Sequence, residues 1–215
     1  MPLLSERTVG KSGKAGIWNI AETMEELMKL AVLPQKELVA LNKVSREHRK
    51  KEWLSARILV SHLIGKKSAK IYYDENNKPR LANSDYQLSL SHSHHLLAAI
   101  TDKPETGIDI EIIQPKIERI KEKFMSAEEL ESVGKKNSVE KLYVYWCAKE
   151  SLYKLYGKKQ LAFKENIYVE PFDFSRGGKI RGWIRNGFTN KFFSLWYEKI
   201  SYQEKDFMLS HILNS

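Results

Sequence analysis

Cysteine is almost absent: Cys147 is the only one in the chain. A single thiol can form no internal disulfide and no cysteine-based zinc site, and it fits a reducing compartment. Long apolar runs are missing too. Nothing approaches the roughly 18 consecutive apolar residues of a membrane span, so no membrane association is expected. The opening segment MPLLSERTVGKSGKAG is polar beyond Leu4. With no apolar stretch there, a secretory signal is not expected and the protein is read as cytoplasmic. No GxSxG pattern marks a nucleophile elbow, which argues against a serine hydrolase. No His or Cys spacing follows His94 and His95 to make a transition-metal site. Acidic residues are outnumbered, 27 against 36 Lys and Arg, for a formal net charge of +9. The excess is either a solvated surface or the mark of a polyanionic partner: nucleic acid, a phosphorylated cofactor or an acidic protein.

What is present is ordinary for a folded chain. Hydrophobic residues make up 42% and charged residues 29% of 215 positions, enough for one large domain or two of about 100 residues each. Residues 15–22 alternate like a strand. Thr23 with Glu26 signals a helix start, and that helix runs to about Val32 before Pro34 interrupts. Glu47–Leu63 carries Trp53, Ala56, Leu59, Val60 and Leu63 at helical spacing and closes at Gly65. A short strand at 71–74, a turn at ENNKP, and strands at 86–91 and 96–101 follow, the last two separated by the run SHSHH. DKPET at 102–106 is the best boundary, and 106–113 reads as a strand. The segment to Asn137 is charged and poor in core signals. A helix over 139–156 closes at Gly157, and strands fill the remainder.

Three landmarks recur at nearly one spacing: GIWNIAE at Gly16 and GIDIEII at Gly107, Trp53 and Trp146, Gly65 and Gly157. This pattern predicts an internal duplication. The expected fold class is α+β, with a pseudo-twofold pair of similar halves, 1–105 and 106–215. Each half is a small antiparallel sheet packed on a long helix.

Two segments carry chemistry. In GIDIE, residues i and i+2 of a strand share a face, so Asp109 and Glu111 sit side by side while Ile108 and Ile110 turn inward. Adjacent carboxylates invite a hard cation, most simply Mg²⁺; the plainer alternative is a solvated acidic edge. In WCAKESLYK, Trp146, Glu150 and Lys154 form one helical stripe, whose plainer reading is a surface Glu–Lys pair. A third segment, Leu88–Ile100, sets His92 between Ser91 and Ser93, where an anion can find donors.

Together these segments resemble the 4′-phosphopantetheinyl transferase superfamily. Its G-I-D-I/V-E marker stands here as GIDIE, and its W-x-x-K-E-x-x-x-K marker as WCAKESLYK. The SHS of the larger, monomeric surfactin-type class stands as Ser91-His92-Ser93, preceded by Lys78-Pro79. The resemblance implies that fold and a transfer of 4′-phosphopantetheine from coenzyme A to a serine of an acidic apo acyl- or peptidyl-carrier protein, releasing adenosine 3′,5′-bisphosphate. By the same resemblance Asp109, Glu111 and Glu150 are ligands of Mg²⁺. Glu150 is the base, directly or through a water held by the metal, and Lys154 stabilises the leaving group. Lys78, Ser91 and His92 contact coenzyme A's phosphates, and Arg46, Arg49, Lys50 and Arg57 are candidates for its 3′-phosphate. Gln114–Asn137 resembles in position the family's variable carrier-binding segment, and Trp146 and Cys147 are read as packing residues. Neither nucleic acid nor a membrane is implied as a partner. Two other readings compete. A Mg²⁺-dependent nuclease usually sets its Glu and Lys two apart on a strand, not four apart on a helix. A basic, non-catalytic binding module gives no reason for the three carboxylates to meet.

Overall fold

The computed structural model describes residues 2–158, 161–187 and 190–214. The chain forms two compact units, Met1–Glu105 and Thr106–Ser215. Both are α+β, and every strand pairing among the described residues is antiparallel.

Unit 1 opens with a hairpin of β1 (Leu3–Val9) and β2 (Gly13–Asn19) that turns at Gly10, whose φ is +59°. Strand β1 has no clear alternation to announce it, because Ser5, Glu6 and Arg7 interrupt its apolar residues. Helix α1 (Met24–Leu30) starts with the expected capping box: Thr23 accepts from the Glu26 amide, and the Glu26 carboxylate accepts from the Thr23 amide. Pro34 does not merely interrupt the chain. It caps a second helix, α2 (Gln35–Asn42), where its fixed φ suits a helix start. Helix α3 (Glu47–Leu63) occupies the predicted span. Then come β3 (Ile71–Tyr73), β4 (Pro79–Leu81), β5 (Gln87–Ser93) and β6 (Leu96–Asp102). Strand β5 runs through the SHS residues, and the turn falls on His94 with φ +59°. The sheet order is β1-β2-β6-β5-β4-β3. The apolar stripe of α3, Ala56, Leu59, Val60 and Leu63, packs on Trp18, Leu88, Leu97 and Ala99 of the sheet.

Unit 2 starts at β7 (Ile108–Ile112). The charged stretch after it is helical: a 3-10 turn (Pro115–Arg119), α4 (Lys121–Phe124) and α5 (Ala127–Val133). It contributes Ile117, Phe124, Met125 and Val133 to the core, which corrects the reading of it as poor in core residues. Helix α6 (Ser138–Tyr156) ends at Gly157, whose φ of +67° is the left-handed cap that glycine accepts without strain. A short α7 (Phe163–Asn166) leads to β8 (Ile167–Val169), β9 (Gly177–Arg185), β10 (Asn190–Tyr202) and β11 (Lys205–Leu213), in the order β7-β11-β10-β9-β8.

Leaving β1 aside, the two sheets have the same chain order: the strand before the long helix pairs with the last strand, and the rest follow in reverse. The matched glycines also stand alike. A Cβ on Gly16 would come within 3.0–3.1 Å of Leu59 and Leu63 of α3. One on Gly107 would meet the Ser151 carbonyl oxygen of α6 at 2.0 Å and the Leu155 amide at 3.0 Å. Backbone cannot yield as a side chain tip does, so Gly107→Ala should push α6 from β7. We expect a loss of about 3 kcal/mol, the upper end for an overpacked core, read as a lower urea midpoint with an unchanged slope. Gly16→Ala should cost less.

Candidate active site

Strand β7 and helix α6 bring the four acidic and basic candidates of unit 2 to one place. Asp109 is buried, and its Oδ1 accepts from Lys154 Nζ at 2.7 Å; the same ammonium donates to the Ile108 carbonyl at 3.1 Å. Glu111 lies two residues further along β7 on the same face of the strand. Glu150 projects from α6 one turn before Lys154. Its carboxyl is pushed up to about 7, first by burial, then by the negative charges of Asp109 and Glu111, with Lys154 acting in the other direction. Glu150 is thus an electrostatic neighbour of both β7 carboxylates, although they are about 40 residues away in sequence.

The metal-ligand expectation meets a less complete arrangement. Among the described residues, no group of three or more His, Cys, Asp or Glu side chains stands ready to hold a metal ion. Lys154 sits on Asp109 and supplies positive charge there. The donor set still suits a hard cation, since three carboxylates against one ammonium leave the site short of positive charge. Cys147 is no nucleophile. Burial and the charges of Asp109 and Glu111 raise its thiol, which donates to the Met208 carbonyl at 3.4 Å. Trp146 packs as expected, edge-on to Phe124 and stacked on Phe163.

In unit 1 the anion-contact candidates divide. Arg49, at the start of α3, reaches His92 Nε2 of β5 at 3.1 Å and Glu52 at 2.8 Å, and His92 Nδ1 lies 3.6 Å from Glu52. Arg46 caps the same helix and is exposed, and Lys50 is half-buried on its first turns. Arg46, Arg49 and Lys50 thus share the first turns of α3, with Glu52 pairing with Arg49 and close to His92. Arg57 does not join them. Its guanidinium is buried, paired with Glu37, bonded to the Trp53 and Ile71 carbonyls, and laid over the Trp53 ring. It is a strut inside unit 1, not a surface for a phosphate. Lys78 is also buried, paired with Glu105, which Arg80 holds from its other oxygen. Ser91 is buried on the face of β5 opposite to His92.

Glu129 and Lys149 are given no role by the motifs above. Both are fully buried and pair at 2.7 Å. Signals for them existed. Ser126-x-x-Glu129 is a capping box, and Lys149 falls on the stripe of α6 that carries the core residues Tyr145 and Leu152.

A family model of the 4′-phosphopantetheinyl transferase superfamily matches residues 105–207. All of Asp109, Glu111, Glu150 and Lys154 lie inside that range; the unit 1 candidates lie outside it. The chain is also similar to the 4′-phosphopantetheinyl transferase AcpT of Escherichia coli O157:H7, 31% identical over 116 residues that cover 51% of this chain and 59% of that protein. It thus spans about three fifths of the length of the curated relative it matches.

Proposed function

We propose that the chain belongs to the 4′-phosphopantetheinyl transferase superfamily, whose model matches residues 105–207, and that it moves the 4′-phosphopantetheine group of coenzyme A onto a serine of an acidic apo carrier protein. The observation that carries this reading is the meeting of Glu150, Asp109, Glu111 and Lys154 on β7 and α6. The carrier serine oxygen attacks the β-phosphorus of coenzyme A, and the bond from that phosphorus to the bridging oxygen breaks. Adenosine 3′,5′-bisphosphate leaves. The hydroxyl proton passes to Glu150, the carboxylate that α6 sets one turn before Lys154. Lys154, aligned by Asp109 and the Ile108 carbonyl, neutralises charge on the departing phosphate. Asp109, Glu111 and Glu150 would hold Mg²⁺, which supplies charge neutralisation at the pyrophosphate oxygens.

In unit 1, Arg46, Arg49, Lys50 and His92 are the proposed phosphate contacts, and the buried Lys78 and Ser91 are proposed to support them. Arg57 has no such role. Dephospho-coenzyme A should therefore bind more weakly than coenzyme A, because a charge-assisted contact is lost. Equal affinities in calorimetric titrations would contradict the assignment. The common strand order and the matched glycines favour a duplicated unit. We further propose a monomer acting in the cytoplasm, with no nucleic acid as substrate.

The carrier should feel the net charge of +9. Long-range attraction speeds association and is screened over about 8 Å at physiological ionic strength. Added salt should raise KM for the carrier more than KM for coenzyme A. Charge reversal at Lys116, Lys121 or Lys123, within the proposed carrier-binding segment Gln114–Asn137, should raise the carrier KM and spare coenzyme A affinity. An unchanged carrier KM at low salt would place docking elsewhere.

A further inference from the structure

Lys149 is spent entirely inside unit 2. Its ammonium donates to Glu129 Oε2 at 2.7 Å, to the Phe124 carbonyl at 2.7 Å and to the Phe163 carbonyl at 3.0 Å. Three donors meet three acceptors, so the group is saturated without water. Glu129 is equally committed. Its Oε2 accepts from the Ser126 amide at 2.7 Å and its Oε1 from the Val169 amide at 2.8 Å. Through these two side chains α6 gathers the end of α4, the start of α5, α7 and β8.

Such a pair is a poor choice for stability alone. Two charges taken out of water lose hydration that their attraction barely returns, and apolar residues of the same volume often serve as well. What the pair supplies is position, because each hydrogen bond holds at one distance and angle. The elements it holds, Lys121–Phe124 and Ala127–Val133, lie within the segment proposed above to meet the carrier. The residue that follows Lys149 on α6 is Glu150.

We infer that Glu129 and Lys149 are positioning residues: they fix the pose of the carrier-docking segment against the helix that bears the catalytic carboxylate. This rests on the proposed transferase reading. Lys149→Met should raise the carrier KM at least tenfold while the Kd for coenzyme A, measured by calorimetry, stays within twofold. Glu129→Gln keeps the side chain's size and one of its two acceptor oxygens, and should move the carrier KM less. The double variant Glu129→Gln with Lys149→Met removes both charges. It should recover thermal stability lost in the single Lys149 variant and still show the raised carrier KM. A double variant with the wild-type carrier KM would overturn the inference, and so would a coenzyme A Kd that rises in parallel.

Hydrogen exchange reads the clamp without any carrier. In the wild-type protein the amides of Met125, Glu129 and Val169 should be as protected as those of α6. In the double variant residues 121–133 should lose protection while α6 keeps it. Unchanged protection there would refute the clamp even if every single variant failed to fold. A wild-type protein that transfers nothing but keeps this exchange pattern would sink the transferase reading and leave the clamp standing.

Discussion

Glu150→Gln should lower the turnover rate by about 10²–10⁴-fold, the range over which a positioned base accelerates proton transfer. The substitution keeps the size of the side chain and removes the carboxylate proposed to take the serine proton. Asp109→Asn should be comparably severe for a different reason. Lys154 Nζ is held at 2.7 Å by the Asp109 carboxylate, and an amide holds an ammonium less firmly. Asn is the cleaner substitution at this position. Asp109 is buried, so an Ala variant would leave Lys154 without its partner and add a loss of stability to the loss of rate. Near-normal rates in either variant, at saturating coenzyme A and carrier, would remove β7 and α6 from the chemistry.

The same carboxyl should make the metal-free protein less stable as pH rises. The unfolded chain titrates Glu near 4.5, and the folded chain holds the Glu150 proton until about 7. The folded state therefore binds more protons between these values. The contribution is fully present below pH 4.5 and is lost as pH climbs through 7. Its size is at most on the order of 3 kcal/mol, at 1.36 kcal/mol per unit. Carboxylates with lowered pKa, such as Asp74 under its backbone and Arg80 bonds and Asp206 beside Lys199, act at lower pH, and comparison with Glu150→Gln separates Glu150 from the histidines. In chelator, the urea midpoint of the wild type should fall between pH 5 and pH 8, and that of Glu150→Gln should fall much less. Parallel profiles for the two proteins would rule out Glu150 as the cause.

How far the sequence revealed this can be judged residue by residue. The apolar stripe of 47–63 specified α3, and strand alternation put Asp109 and Glu111 on one face. Helical spacing joined Glu150 to Lys154. Each of those signals is local, with a period set by a single element. Tertiary choices were harder to see. Arg57 shares a basic stretch of sequence with Arg46, Arg49 and Lys50, yet it stands one turn after Trp53 on the packed side of α3 and meets Glu37 from another helix. Lys78 turned inward because Glu105, 27 residues on, provides its counter-charge. The Glu129–Lys149 pair spans 20 residues and joins elements that a charged composition disguised as solvent-exposed connection. The pairing of Lys154 with Asp109, instead of three carboxylates left open to a cation, depends on a distance no spacing encodes.

Incubation with coenzyme A, Mg²⁺ and an apo carrier protein, followed by mass spectrometry of the carrier, tests the central claim most directly. The carrier should gain one phosphopantetheinyl group on a serine, adenosine 3′,5′-bisphosphate should appear in equal amount, and Glu150→Gln should suppress both. Carriers left unmodified across acyl and peptidyl types, with coenzyme A intact and DNA cleaved under the same Mg²⁺ conditions, would contradict that claim.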